Sequence, residues 1–360
     1  MFFRSEGAYT EHSPDAGRKG WDDMARLRVA QIGIGHDHAS GAFRTIRKLG
    51  DDFELVAVAM PEGEDRDFAS QLPVYEGVPV EDAEALCLRP DLDAVIVETE
   101  DPKLTRYALM AAQAGKHVQM DKPGGLSLWE FRALVDTVKR RGTVLHLGYM
   151  YRYNPVLRDV IAKAKAGEYG EIVSVEAQMN CLHPAEKRRW LSKFPGGMMF
   201  FLGCHLIDLI LQICGLPQDV IPMNVSTDPG AGYGCDVGFA VFRYPRGVAF
   251  AKTACTEPGG FARRQLVVCG TKKTVEVKPL ERYTDDPSGT ELTTTVTTYS
   301  STSWGDRGVT STCAPYDRYE TMLRAFASYV RGEAVNPVTP DYELALYETI
   351  LAACGAGPAE

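Results

Sequence analysis

The 360-residue chain has no Cys-x-x-Cys pair, no apolar run of 18 residues, no basic excess and no internal repeat. Each absence excludes a class of protein. The nine cysteines, at positions 87, 181, 204, 214, 235, 255, 269, 313 and 354, are scattered and odd in number, which argues against a zinc framework and fits reduced thiols buried as small hydrophobes. Without a long apolar run no membrane span is expected, and residues 1–23 lack the apolar core of a secretion signal, so a cytoplasmic location is expected. A net charge of −9 argues against a nucleic acid partner, since phosphate backbones are bound by segregated cations. The one dense basic cluster, Lys187-Arg188-Arg189, is short and reads as a solvated loop or a local carboxylate or phosphate contact. What is present is ordinary for a globular protein, 45% hydrophobic and 24% charged, and long enough for two domains at roughly 100 to 200 residues each.

Residues 27–34 are a compact β-branched run ending in Gly33-Ile-Gly35, then His36-Asp37-His38-Ala39 and a helical pattern to residue 49. Strand, glycine turn and helix in succession match the first unit of a dinucleotide-binding fold, in which glycines let the backbone approach a pyrophosphate at a helix N-terminus. His38 occupies the place of the third glycine of the fingerprint. A second strand over 53–59 ends at Met60-Pro61-Glu62, where such folds read the adenosine ribose; an acidic residue there favours NAD, with NADP left open. A helix over 80–88, a strand over 93–98 leading to Thr99, a helix over 104–114, a strand over 116–120, a helix over 126–141 and a strand over 144–148 complete an alternation that implies a parallel sheet.

The strand over 116–120 delivers Asp121-Lys122-Pro123-Gly-Gly to the carboxyl end of the sheet, where an open α/β fold keeps its ligand crevice. After residue 149 the grammar changes to period-two strands over 172–180, 235–244, 247–256, 264–269, 273–278 and 290–299, which implies an antiparallel sheet with one covered face. An apolar helix over 198–214 carries His205 and Asp208 on one face, and helices over 316–331 and 341–353 close the chain. A histidine among Phe200, Phe201, Leu206 and Ile207 would be desolvated and neutral near pH 7. The fold class is therefore α/β plus α+β: an extension over 1–25, a Rossmann domain over 26–149, and a substrate-binding and oligomerisation domain with a mainly antiparallel sheet over 150–360.

The Gly33-x-Gly35 turn, the Ala-Gly-Lys-His-Val stretch before Asp121-Lys122-Pro123, Arg152 with Pro155, and Gly-Gly-(x)5-Gly-x-His-x-x-Asp from Gly196 to Asp208 together resemble the Gfo/Idh/MocA family. The resemblance implies an NAD(P)-dependent sugar or polyol oxidoreductase, with substrate between the domains and dimer or tetramer contacts on the outer face of the second sheet. It implies Lys122 as the lysine that contacts the reacting hydroxyl and the cofactor, and His205 as the second acid/base residue. Asp121 replaces the family's glutamate, Phe201 stands where the family usually has an aspartate, and Thr99-Glu100 replaces Thr-Pro.

Cofactor contacts are then expected from Gly33, Gly35, His36, Asp37, His38, Met60, Glu62, Thr99, Asp121 and Lys122. Substrate contacts are expected from Tyr149, Arg152, Tyr153, His183, Trp190, Lys193 and Asp208. The expected reaction is reversible oxidation of a secondary hydroxyl on a sugar, glycoside or cyclic polyol, with NAD either dissociating or retained and recycled, as in oxidation of a glycoside ring carbon. The alternative is a non-catalytic dinucleotide-binding regulator of the same fold. A metal-dependent hydrolase is disfavoured, because His36 and His38 lie at the glycine turn with no matching ligand cluster in the sequence, and no metal is expected.

Overall fold

Short aliphatic runs in the first half of the chain become strands buried on both faces, separated by helices that cover them. The computed structural model describes residues 26–61, 63, 73–286 and 289–356; Glu62 and the extension over 1–25 lie outside the described residues. In order come β1 (Leu27–Ile32), α1 (Ala39–Lys48), β2 (Phe53–Ala59), β3 (Val80–Glu81), α2 (Ala83–Cys87), β4 (Ala94–Val97), α3 (Leu104–Gln113), β5 (His117–Met120), α4 (Leu128–Arg141) and β6 (Leu145–Leu147). The six strands form a parallel sheet in the order β3-β2-β1-β4-β5-β6, the Rossmann arrangement. The order reverses between β1 and β4, which opens a crevice beyond their carboxyl ends. The helix expected from residue 80 starts later, because Asp82 accepts from the N–H groups of Glu84 and Ala85 while Val80 and Glu81 pair with β2.

The second half continues with α5 (Pro155–Lys165), β7 (Ile172–Asn180), α6 (Ala185–Trp190), α7 (Cys204–Cys214), β8 (Asp219–Pro222), β9 (Val237–Tyr244), β10 (Gly247–Ala254), β11 (Gln265–Gly270) and β12 (Thr274–Val277). Then come β13 (Arg282–Tyr283), β14 (Glu291–Thr293), β15 (Thr295–Tyr299), β16 (Val309–Thr312), β17 (Tyr316–Asp317), α8 (Glu320–Val330) and α9 (Pro340–Ala353). Eight strands form one sheet ordered β16-β15-β12-β11-β7-β10-β9-β8. It is mainly antiparallel, but β10 runs parallel to β7, because the chain crosses over through α6 and α7 before returning. The strand expected over 290–299 breaks at buried Thr294, whose hydroxyl donates to the Leu280 carbonyl at 2.7 Å, and its first part joins a separate three-stranded sheet, β13-β14-β17. The helix expected from residue 316 begins only at Glu320, since Tyr316 and Asp317 pair with β14 and the Asp317 carboxylate accepts from the N–H groups of Tyr319 and Glu320 at 2.9 and 3.0 Å.

The last two helices return to the first sheet. Leu323, Phe326 and Ala327 of α8 pack with Leu27, Val29 and Ile46, and Arg331 donates to the Asp52 carboxylate at 2.9 Å. Tyr347 of α9 stacks on Phe131 of α4 with ring centroids 4.5 Å apart. Among the described residues, no helix is long and apolar enough to cross a membrane.

Candidate active site

β1 leaves the sheet through Gly33, at φ +90°, where a Cβ would stand 2.4 Å from the Thr99 Cα. Only glycine lets the ends of β1 and β4 approach this closely. Thr99 is therefore buried beneath the turn. The following helix, α1, has no side-chain cap and no acidic residue in its first turn, so its unpaired N–H groups and positive dipole end suit an anion. Beside it lies a crevice of about 320 Å³ lined by Gly35, Asp37, Glu100, Pro102, Lys187, Trp190 and Lys193 among others. Lys187 pairs with Asp37 at 2.7 Å and holds its ammonium 3.7 Å from the Trp190 ring centroid, so part of the basic cluster is a local carboxylate contact. Met60 is buried with Ile34, Phe43, Val58 and Tyr75. A glycine turn, an uncapped helix start and an adjoining crevice are the features a dinucleotide pyrophosphate requires, and the chain has all three here.

The two histidines of the turn do gather carboxylates, contrary to the expectation from their spacing. His38 Nδ1 lies 2.9 Å from Asp121 Oδ2, and His36 lies 3.3 Å from Asp121, 3.7 Å from Glu98 and 3.6 Å from Asp101. Separation in sequence concealed this, since the acids arrive on the ends of β4 and β5. The three ligand atoms of His36, His38 and Asp121 lie within 4.8 Å of one another. His36 Nδ1 accepts from the His38 N–H at 3.2 Å, and its Nε2 faces Asp101 at 3.6 Å. Burial and the Asp121 carboxylate push Glu98 well above the usual carboxyl range, so it is a neutral acid. Burial also acts on Asp121, but His36 and His38 overcome it and hold Asp121 ionised.

Asp121 fixes the start of the next segment by accepting from the Lys122 N–H at 2.6 Å through Oδ1. Lys122 is 2% exposed; its ammonium donates to the Phe201 carbonyl at 2.9 Å and lies 4.7 Å from the Phe201 ring centroid. That carbonyl belongs to a π-helical turn, Met199–Gly203, that opens α7. Such wide turns recur at functional sites. Burial opposes the charge on Lys122, yet Asp121, Asp101 and Asp37 hold it above the ordinary lysine range. The Cys204 thiol beside it is pushed up to about 12 by burial and is neutral at pH 7.

His205 is 1% exposed, with its ring edge-on to Tyr149 at 5.6 Å and to Tyr151 at 5.0 Å. Burial, reinforced by the charge on Lys122, holds it well below the ordinary imidazole range, so it is neutral at pH 7. Its Nδ1 is buried without a hydrogen-bond partner among the described residues. Lys122, His205, His38 and His183 line one cavity of about 170 Å³, whose further wall is formed by Tyr151, Arg264 and Arg318 with apolar Phe201, Leu202 and Phe261. Burial lowers the pKa of His183 as well.

Of the seven expected substrate contacts only His183 lines this cavity, and the other six lie outside it. Arg152 is buried between two carboxylates, Asp208 at 2.9 Å and Glu343 at 2.5 Å, and its guanidinium carbon lies 4.3 Å from the Tyr149 ring centroid. Asp208 is consumed by Arg152, Gln212 and the Tyr342 hydroxyl. Tyr153 bonds His146, and with Arg152 it lines a separate groove. Tyr149 buttresses His205 from behind, and Trp190 and Lys193 belong to the neighbouring crevice. The sequence reading missed Tyr151, Arg264, Arg318 and Glu281. Tyr151 and Arg264 are 113 positions apart, and no local pattern joins them.

Residues 27–149 match the oxidoreductase family with an NAD-binding Rossmann fold, and residues 157–276 match the GFO/IDH/MocA C-terminal domain. The chain belongs to the Gfo/Idh/MocA family of NAD(P)-binding oxidoreductases. Within that family it is 27% identical over 196 residues, 53% of this chain and 54% of the relative, to the NAD-dependent scyllo-inositol 2-dehydrogenase of Bacillus subtilis. It is 27% identical over 271 residues, 74% of this chain and 78% of the relative, to the NADP-dependent D-xylose 1-dehydrogenase 2 of Haloferax volcanii. The chain thus spans from about half to about three quarters of the length of the curated relatives it matches. The crystal structure of aldose-aldose oxidoreductase from Caulobacter crescentus, complexed with glycerol, shares the Gfo/Idh/MocA fold at a TM-score of 0.74 and 18% identity, over 92% of this chain and 97% of that one.

Proposed function

We propose that this protein oxidises or reduces a secondary hydroxyl of a sugar, glycoside or cyclic polyol by hydride exchange with NAD or NADP. The observation that carries this reading is the convergence of a buried ammonium, Lys122, and a buried neutral imidazole, His205, on one cavity near the end of β5. Gly33, Gly35 and the start of α1 would hold the pyrophosphate, and the bound nicotinamide supplies the hydride acceptor or donor. Lys122 stabilises the alkoxide charge that grows as the hydroxyl loses its proton, and neutral His205 takes that proton. Tyr149 and Tyr151 fix the plane of the His205 ring. Among the relatives, the scyllo-inositol 2-dehydrogenase is named for a secondary alcohol on a ring and the D-xylose 1-dehydrogenase for the carbon-1 position of a sugar, which supports a polyhydroxylated substrate.

Lys122→Ala and His205→Ala are each expected to lower turnover by on the order of 10² or more while NADH affinity is largely kept, as acid/base loss requires. Steady-state rates beside NADH titrations read both quantities. Wild-type turnover in both variants would remove these residues from the site. Stoichiometric NADH release would mark a dissociating cofactor, and product without free NADH would mark a recycled one.

We also propose that copies of the chain associate through the outer face of the second sheet. Phe239, Val241, Val248, Phe250 and Ile221 make that face an apolar strip, partly exposed in the single chain. Light scattering behind size exclusion would reject this by returning a monomer mass.

A further inference from the structure

The cavity holds an excess of positive charge that its own residues do not balance. Arg264 and Arg318 stand on the wall formed with Tyr151, and Lys122 lines the same small space. Among the described residues lining it there is no carboxylate. Just behind the wall, Glu281 accepts from the Tyr151 hydroxyl at 2.5 Å, from Arg264 at 2.6 Å and from Arg318 at 2.8 and 2.7 Å. One carboxylate therefore serves two guanidinium groups. Arg264 is 7% exposed, and Nε of Arg318 is buried with no hydrogen-bond partner among the described residues. A buried cation without a counter-charge is costly, and an unmade guanidinium hydrogen bond adds to that cost. The chain as a whole carries −9, so the excess is local to this wall and not a general basicity.

We infer that the substrate carries an anionic group, a carboxylate or a phosphate, which docks on Arg264 and Arg318 while its reacting hydroxyl lies between Lys122 and His205. Tyr151 sets the spacing: its ring packs on His205 with centroids 5.0 Å apart, and its hydroxyl accepts from Arg264 at 3.1 Å. The anion and the reacting carbon are thus separated by about the length of one tyrosine side chain, which suits a sugar acid or a hydroxy acid with the two functions on one small skeleton. Planar guanidinium groups favour such an anion by paired, charge-assisted hydrogen bonds. The placement of the hydroxyl rests on the oxidoreductase reading above; the anion contact does not.

The test measures binding rather than turnover. D-Glucuronate, D-gluconate, their neutral parents D-glucose and D-glucitol, and D-glucose 6-phosphate are titrated by calorimetry into NADH-loaded and cofactor-free protein. The expected result is at least about tenfold tighter binding of one acidic class than of the neutral parents, as charged hydrogen bonds give. Preference for the uronic or aldonic acids identifies a carboxylate, and preference for the ester identifies a phosphate. Arg318→Leu should abolish the preference and Arg318→Lys should keep part of it. Equal affinities for acids and neutral parents, no binding of any acid to either form, or a preference that survives Arg318→Leu would overturn the inference. If Arg318→Leu does not fold, the wild-type comparison decides alone. Failure of NADH to bind would strike the oxidoreductase reading separately, while the acid titrations on cofactor-free protein would still decide the anion contact.

Discussion

Lys122 and His205 line one cavity, and burial acts on both alike by disfavouring charge; the nearby carboxylates separate them. Asp121 and Asp101 keep Lys122 protonated, whereas His205 has burial and the Lys122 charge against it. This gives a pH dependence with a definite sign. A base must be neutral to accept a proton, and a histidine held below its ordinary 6.5 stays neutral as the pH falls past that value. The acid limb of kcat/KM is therefore expected below pH 6.5, with activity kept between that limb and neutrality. Initial rates from pH 4 to 8 measure it, and a limb at or above 6.5 would contradict the assignment of His205 as a buried neutral base. The positions of both were legible in the sequence, Lys122 after a strand and His205 on an apolar helix, whereas their acid/base roles are implied by the family resemblance. Arg264 and Arg318 were not legible, because the far wall of the cavity is assembled from segments that no periodicity connects.

The element that carries His205, α7, is fixed one turn further on by Arg152, Asp208 and Glu343, which tie the segment after β6 to α7 and α9. Two buried carboxylates around one guanidinium make the trio a structural lock with all members hydrogen-bonded. Arg152→Met leaves both acids buried without their cation and is expected to cost about 3–5 kcal/mol of stability, read from the urea midpoint. A shift below about 1 kcal/mol would show that water or rearrangement replaces the lock. The sequence reading assigned Arg152 and Asp208 to substrate, since a charged pair near a domain junction has the same local signature whether it faces a ligand or a partner. Strands and helices themselves followed from aliphatic runs and amphipathic spacing. The exceptions had local causes: Asp82 capping α2, Asp317 capping α8, and the wide turn at Met199–Gly203, which no sequence period announces.

At the scale of the whole molecule, the two sheets are joined by more than the connection at residue 149. α8 packs back on the first sheet and α9 on its helix α4, and the Lys187–Asp37 pair links the glycine turn to α6. The parallel order of the first sheet was legible from strict alternation, whereas the parallel pairing of β7 with β10 was not, because it depends on where the chain returns after a crossover. The same architecture brings the turn of β1, the end of β5 and the start of α7 to one place, so that the crevice beside α1 opens next to the Lys122 and His205 cavity. Trp190 lines that crevice and supplies a reporter. Titration of the purified protein with NADH and with NADPH, followed by energy transfer from tryptophan to the nicotinamide, measures whether a dinucleotide occupies that crevice. Saturable binding of at least one of them at one equivalent per chain, retained in Lys122→Ala, is expected. Binding of neither at millimolar concentration would contradict such occupancy.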